Sequence, residues 1–293
     1  MVPLELVRLP SLMALTSGMD EVVVGLLDGP VAMGHPAFAN GRIRELSGDA
    51  GGGCVQSDSA ACQHGTFVAG ILAAGRDGAA PAICPDCTLL VRPIFIETTS
   101  DGQRLPSATP RQVAAAIGEC VDAGAWVLNL SAGMAQPSTR DERELRDALD
   151  YAARHGAIVV AAAGNQSTLG SSAITRHPWV VPVVGVSLDG RPTMQSNLGS
   201  SMGRRGLGAP GENVTSLGSR GGLLTRAGTS VAAAFVTGAI ALLWSRFPDA
   251  TAGDVRSAVT AGHRRRTSVI PPVLDGWEAY RLLSATRSGR AVV

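Results

Sequence analysis

A glycine and two hydroxyl residues precede a run of small apolar residues in the stretch Gly228-Thr229-Ser230-Val231-Ala232-Ala233-Ala234. This stretch predicts a turn followed by a long helix of small and apolar residues, which ends near Trp244 to Phe247, before Pro248. A serine at a helix N-terminus lies among backbone N–H groups that have no partner within the helix, at the positive end of the helix dipole. Such a serine is suited to attack a carbonyl, because the resulting oxyanion can be held there. Most serines in such positions are helix caps, so the role of Ser230 depends on its companions.

Three further polar residues follow apolar strands or begin a helix. Asp28 follows residues 22–27, an apolar run that predicts a strand buried on both faces. His64 opens a second helix of small residues, and Asn165 comes directly after another apolar strand. With Ser230, the chain offers an orienting acid, a base, an oxyanion donor and a nucleophile. The order Asp, His, Ser is the one found in subtilisin, and it differs from the chymotrypsin and α/β-hydrolase orders.

Strands alternate with helices of ten to fifteen residues along the chain. This alternation predicts an α/β fold of three layers, a doubly wound and mainly parallel sheet with helices on both faces. Functional residues are expected at the carboxyl ends of the strands. The predicted strands are 22–27, 88–92, 125–130, 157–163 and 180–186, and the predicted helices are 64–74, 110–124, 141–155, 229–247, 252–261 and 275–284.

Composition narrows the class of protein. The 293 residues are enough for one large domain, and 45% of them are hydrophobic. The net charge of +1 gives no indication of a nucleic acid partner. No uninterrupted apolar run reaches the roughly 18 residues of a membrane span, so no membrane partner is expected. Residues 1–6 do not resemble a signal peptide, which predicts a cytoplasmic protein, or a secreted one if a leader was trimmed.

Four motifs together resemble those of the subtilisin-like serine proteases, the subtilase family, over nearly the whole chain. They are Leu27-Asp28-Gly29, His64-Gly65-Thr66, Ala163-Gly164-Asn165 and Gly228-Thr229-Ser230. The resemblance implies a triad of Asp28, His64 and Ser230, with the Asn165 amide in the oxyanion hole, and peptide-bond hydrolysis without a cofactor. It implies a catalytic domain at 21–285, between an N-terminal lead-in at 1–20 and a flexible tail at 286–293.

The family resemblance also implies a substrate-binding segment at Ser131, Ala132, Gly133 and Met134. A peptide substrate would pair with it as an added strand. Met134 stands where a second glycine is common, so it either narrows the pocket or packs into the core behind it.

The chain also resembles, more weakly, the cyanobactin-type proteases that mature ribosomal peptides. It rests on Leu27-Asp28-Gly29-Pro30-Val31, His35-Pro36 and Pro93-Ile94-Phe95. It implies a leader-bearing precursor peptide as substrate. A general degradative subtilase and a pseudoprotease that only binds peptides are the alternatives.

The chain departs from the family pattern near the site. Gly29 replaces the small hydroxyl residue that usually follows the aspartate. The loop after the His64 helix offers only Asp77 as a carboxylate, so no calcium site is expected.

Five cysteines leave the redox state of the thiols open. Cys54 and Cys62 bracket the loop before His64 and suggest a disulfide, whereas Cys84-Pro85-Asp86-Cys87 suggests a metal or redox motif. Local roles in loops are favoured over zinc, because only one such pair is present. Cys120 stands alone.

Overall fold

The computed structural model describes residues 2–46, 52–80, 82–97, 108–131, 142–261 and 268–290. Seven strands form one sheet: β1 (Val23–Asp28), β2 (Ile43–Glu45), β3 (Thr88–Pro93), β4 (Val127–Leu130), β5 (Ile158–Ala162), β6 (Val181–Val186) and β7 (Leu207–Pro210). Their order is β2-β3-β1-β4-β5-β6-β7, and each neighbouring pair is parallel. Strands β8 (Val214–Leu217) and β9 (Leu223–Arg226) form a separate antiparallel hairpin.

Helices cover both faces of this sheet. The described residues form α1 (Pro3–Leu6), α2 (Pro10–Met13), α3 (Ala60–Ala73), α4 (Pro110–Asp122), α5 (Arg143–Arg154), α6 (Ala173–Arg176), α7 (Ser200–Arg205), α8 (Thr229–Arg246), α9 (Ala252–Val259) and α10 (Gly276–Arg290). Helices α3, α8, α9 and α10 share one hydrophobic core with the sheet, and α4 and α5 share another. The predicted three-layer, doubly wound architecture is therefore confirmed.

The order of the strands reverses at β1. From β1 the chain builds β2 and β3 on one side and then crosses to build β4 to β7 on the other. In open α/β sheets ligands bind beyond the carboxyl ends of the strands at such a reversal, because the connecting loops diverge there. Asp28 is the last residue of β1 and lies at this point.

Helix α8 is apolar on all sides because it lies inside the protein. Every residue from Thr229 to Ser245 is buried. Among the described helices, α8 alone is long and apolar enough to cross a membrane, and 94% of that segment is buried inside the fold. Its composition is therefore that of a core helix.

The start of α3 differs from the sequence prediction, and the start of α8 excludes Ser230 as its cap. Helix α3 begins at Ala60, because Ser59 Oγ accepts a hydrogen bond from the Cys62 backbone N–H at 3.1 Å. His64 therefore lies in the second turn and does not open the helix. In α8 the capping position belongs to Gly228, so Ser230 is the second helical residue and not the cap.

The N-terminal segment and the last helix pack into the main core. Val7, Leu9 and Leu12 of the predicted lead-in are fully buried in the core that contains α8 and α10. Helix α10 continues to Arg290, beyond the predicted end near residue 284. Residues 291–293 lie outside the described residues, and the division at 1–20, 21–285 and 286–293 stays a prediction.

Candidate active site

Two glycines bring α3 against the end of β1. A Cβ on Gly65 would lie 2.3 Å from the carbonyl oxygen of Gly29, and a Cβ on Gly29 would lie 2.1 Å from that of Ala61. A Cβ atom does not approach a non-bonded carbonyl oxygen this closely, so the two backbones approach each other only because both residues are glycine. This approach places His64 beside Asp28.

A continuous chain of hydrogen bonds links the predicted triad residues. His64 Nδ1 lies 2.6 Å from Asp28 Oδ1, and His64 Nε2 lies 2.8 Å from Ser230 Oγ. Asp28 is fully buried, and His64 and Ser230 expose only 8% and 5% of their surface. An ionised carboxylate only accepts hydrogen bonds, so it favours the proton on Nδ1 and leaves Nε2 to accept from the serine hydroxyl. The arrangement is able to activate a serine nucleophile.

The environment of Asp28 explains the missing hydroxyl residue after it. Oδ1 accepts from the Gly29 backbone N–H at 2.6 Å as well as from His64. Oδ2 is buried and has no hydrogen-bond partner within the described part of the chain. A serine at position 29 would collide with the Ala61 carbonyl group. The close helix contact therefore excludes the side chain that would otherwise reach this carboxylate.

The turn before the nucleophile orients Asn165. Its Oδ1 accepts from the Thr229 backbone N–H at 2.9 Å, which leaves Nδ2 as a donor. A Cβ on Gly228 would lie 3.3 Å from Asn165 Nδ2 and 3.7 Å from Ser230 Oγ, so both atoms border the same small space. Gly228 has a φ of +143°, which favours glycine. An oxyanion hole requires a hydrogen-bond donor beside the nucleophile, and the Asn165 amide has this position.

Ser131 is the member of the predicted substrate segment that the structure describes. It follows β4, the strand next to β1, so it lies at the same edge of the sheet as the triad. Its Oγ accepts from Asn129 Nδ2 at 3.2 Å. Ala132, Gly133 and Met134 lie outside the described residues, and their pocket roles stay predictions.

A contact between the loop before α3 and the β8–β9 hairpin was not predicted. Arg220 forms an exposed ion pair with Asp58 at 2.7 Å, and Arg226 donates to Gln63 Oε1 at 2.8 Å. Gln63 directly precedes His64, and Arg226 precedes the turn of the nucleophile by two residues. The hairpin therefore contacts the residues just before His64 and leads directly into the turn before Ser230. Its four-residue strands are too short to show a periodic pattern, so no sequence signal marks it.

Cys54 and Cys62 form a disulfide bond beside the site. Of the alternatives for this pair, the structure supports the disulfide, and sulfurs bonded to each other are not thiolate ligands for zinc. Glu97 closes the same loop, because its carboxylate accepts from the backbone N–H groups of Val55 and Gln56 at 3.0 and 3.1 Å. A bridge over a loop of this length stabilises a protein by about 2–3 kcal/mol in the chain-entropy model.

The other three cysteines are buried thiols, which predicts how they react. Burial raises the pKa of Cys120 to about 12. The hydrogen bond that Cys84 donates to Cys87, together with burial, raises the pKa of Cys84. The same hydrogen bond lowers the pKa of Cys87, although burial opposes this change. We expect iodoacetamide at pH 8 to label none of the three in the native protein, because no sulfur is accessible. Mass spectrometry should show three labels in guanidinium chloride and five after reduction; rapid labelling of the native protein would contradict this burial.

Comparisons with known proteins agree with this geometry. The model of the subtilase family matches residues 19–271. Mycosin-3 of Mycobacterium tuberculosis is 32% identical in an alignment that covers 74% of this chain and 59% of that protein. The chain thus spans less than two thirds of the length of this relative.

Two solved structures share most of the fold. A mutant of the protease domain of PatA superposes with a TM-score of 0.83 and 29% identity, over 92% of this chain and 97% of that one. The prenylagaramide maturation protease PagA gives a TM-score of 0.83 and 26% identity, over 94% and 98% of the two chains. On the family match, which spans most of its length, the chain belongs to the subtilase family.

Proposed function

We propose that this chain is a serine endopeptidase that hydrolyses peptide bonds. The observation that carries the proposal is the hydrogen-bonded series from Asp28 through His64 to Ser230, with distances of 2.6 and 2.8 Å. A protein that only binds peptides has no need of a buried aspartate, a bridging histidine and a serine in this series. Membership of the subtilase family supports the same chemistry.

In this proposal each residue has one role. Ser230 Oγ attacks the scissile carbonyl carbon, and His64 Nε2 takes its proton and later gives it to the leaving amine. Asp28 holds the imidazole in the required tautomer and stabilises the imidazolium. Asn165 Nδ2 and the Ser230 backbone N–H hold the oxyanion. Water then attacks the acyl-enzyme: His64 takes a proton from the water and gives it to Ser230 Oγ as the acyl group leaves.

We further propose that the substrate is a specific peptide precursor that carries a leader. The support is the likeness to the prenylagaramide maturation protease PagA and to the protease domain of PatA. The precursor would bind as an extended strand beside Ser131. A digest that compares casein with a leader-bearing peptide tests this part: cleavage of the leader peptide at one bond, with casein left whole, supports it. Broad cleavage of casein would indicate a general degradative protease.

The oxyanion role of Asn165 predicts a large but partial loss of activity. Asn165→Ala removes one of two donors, and we expect kcat to fall by about 10²–10³, with KM nearly unchanged. Asn165→Asp is the matched variant, because it keeps the acceptor for the Thr229 N–H but places a negative charge beside the oxyanion. It should lose at least as much activity. Equal activity of Asn165→Asp and wild type would exclude this role.

The cytoplasmic location stays a prediction. Disulfides such as Cys54–Cys62 persist mainly in oxidising compartments, and this bridge favours the alternative of a secreted protein. Fractionation of the native source, with thiol labelling of each fraction, decides between the two.

A further inference from the structure

Arg226 is a half-buried cation with few partners in the part of the chain that the structure describes. The other half-buried arginines donate to backbone carbonyl groups: Arg76 to four of them, Arg205 to three and Arg256 to one. Among the described residues Arg226 donates to no backbone carbonyl group: it donates one hydrogen bond, to Gln63 Oε1 at 2.8 Å, and forms no ion pair. A partly desolvated guanidinium is favoured by a planar carboxylate partner, which fits two of its N–H groups at once.

The position of Arg226 relates it to the triad. Its guanidinium carbon lies 5.9 Å from the ring centre of Phe67, and Gln63 and Phe67 are one helical turn apart on α3. The cation therefore lies along the helix that carries His64. Burial lowers the pKa of Arg226, and the negative charge of Asp28 opposes this change. The guanidinium contacts the residue that directly precedes His64 in the sequence.

The chemistry of the proposed reaction fixes which part of a substrate faces this helix. The oxyanion points to Asn165, and the leaving nitrogen points to His64 Nε2, since that atom protonates it. The residues after the scissile bond therefore leave the reacting carbon on the His64 side. Arg226 contacts Gln63, the residue directly before His64, and it precedes the nucleophile turn by two residues.

We propose that Arg226 binds a carboxylate on the leaving side of the substrate and so selects peptides that are acidic just after the scissile bond. This inference rests on the proposed endopeptidase function. The carboxylate is that of an Asp or Glu side chain in the first two residues after the bond, or a free C-terminus at the second of them. Either source offers the same planar anion.

The test starts from a library of synthetic peptides, whose products identify cleaved bonds by mass spectrometry. Quenched peptides built on the best sequence then carry Glu, Gln or Lys at each of the first two positions after the bond, with an amidated C-terminus. A second pair ends at the second position as the acid or the amide. We expect wild type to favour Glu over Gln by about tenfold in kcat/KM, the size of one charge-assisted hydrogen bond. The preference should fall as the salt concentration rises.

Variants of the hairpin separate recognition from structure. Arg226→Gln should bring the Glu to Gln ratio near one, and Arg226→Glu should favour Lys. Arg220→Gln is the matched control, because Arg220 lies on the same hairpin but pairs with Asp58 on the exposed surface. It should keep the ratio of wild type.

The failures of the two proposals are distinguishable. If wild type cleaves peptides but does not prefer an acidic residue or a free acid, the Arg226 inference is wrong and the endopeptidase stands. An equal preference in wild type and both Arg226 variants also overturns it. If the folded wild-type protein cleaves nothing in the library, the endopeptidase proposal fails, and this inference fails with it.

Discussion

Replacement of Ser230 by alanine is expected to abolish cleavage of every peptide substrate while the protein stays folded. The change removes one oxygen, the atom that His64 Nε2 contacts at 2.8 Å. In subtilisin, a member of the same family, loss of the nucleophile lowers kcat by about 10⁶, and we expect a loss of that order. Initial rates on a quenched peptide measure activity, and circular dichroism melting measures the fold.

Ser245→Ala is a matched control for this experiment. Ser245 lies on the same helix, about four turns from Ser230, and is buried like it. Its hydroxyl donates to the Ala241 carbonyl at 2.8 Å. It loses the same atom and should keep the activity of wild type. Residual cleavage by Ser230→Ala above a trace, after removal of contaminating protease, would show that the nucleophile is another residue.

The second largest effect is expected for Asp28→Asn. An asparagine amide donates its N–H to His64 Nδ1, which moves the imidazole proton to Nε2, the atom that must accept from Ser230. Such a change in a serine protease triad lowers kcat by about 10⁴. The buried Asp28 has no other carboxylate beside it among its described partners that could take over this role.

Asp58→Asn provides the comparison for this variant. Asp58 lies on the loop before α3 and pairs with Arg220 on the surface, so its replacement should change activity little. Rates are measured on the same quenched peptide. If Asp28→Asn kept more than a tenth of the wild-type kcat, Asp28 would not be the group that orients His64.

The sequence predicts the centre of the fold because its strands are buried on both faces. β1 and β6 are continuous apolar runs, and their length and position emerge from that pattern alone. β2, β7, β8 and β9 have three or four residues and no longer apolar run around them, whereas the four residues of β4 belong to the mainly apolar run 125–130. The start of α3 was misplaced because its cap, Ser59, lies in a Ser- and Ala-rich stretch that resembles a loop.

The residues of the site also divide into those that a sequence motif predicts and those that it does not. The triad residues and Asn165 were predicted because each belongs to a short motif with strong local constraints, such as the glycines that let α3 approach β1. The partner of Arg226 was not, since Gln63 is separated from it by 163 residues and neither side chain belongs to a motif. Contacts of this kind depend on the packing of a hairpin against a helix that is distant in sequence, which the sequence pattern does not encode.

The central claim is that the hydrogen-bonded series activates Ser230 as a nucleophile, and labelling with a fluorophosphonate probe tests it most directly. The probe reacts covalently with activated serines, needs no knowledge of the natural substrate, and its site is read by mass spectrometry of the digested protein. We expect stoichiometric labelling of wild type at Ser230, and none in His64→Ala, where the base is missing. Absence of label in the folded wild-type protein, or label at a different residue, would contradict the account.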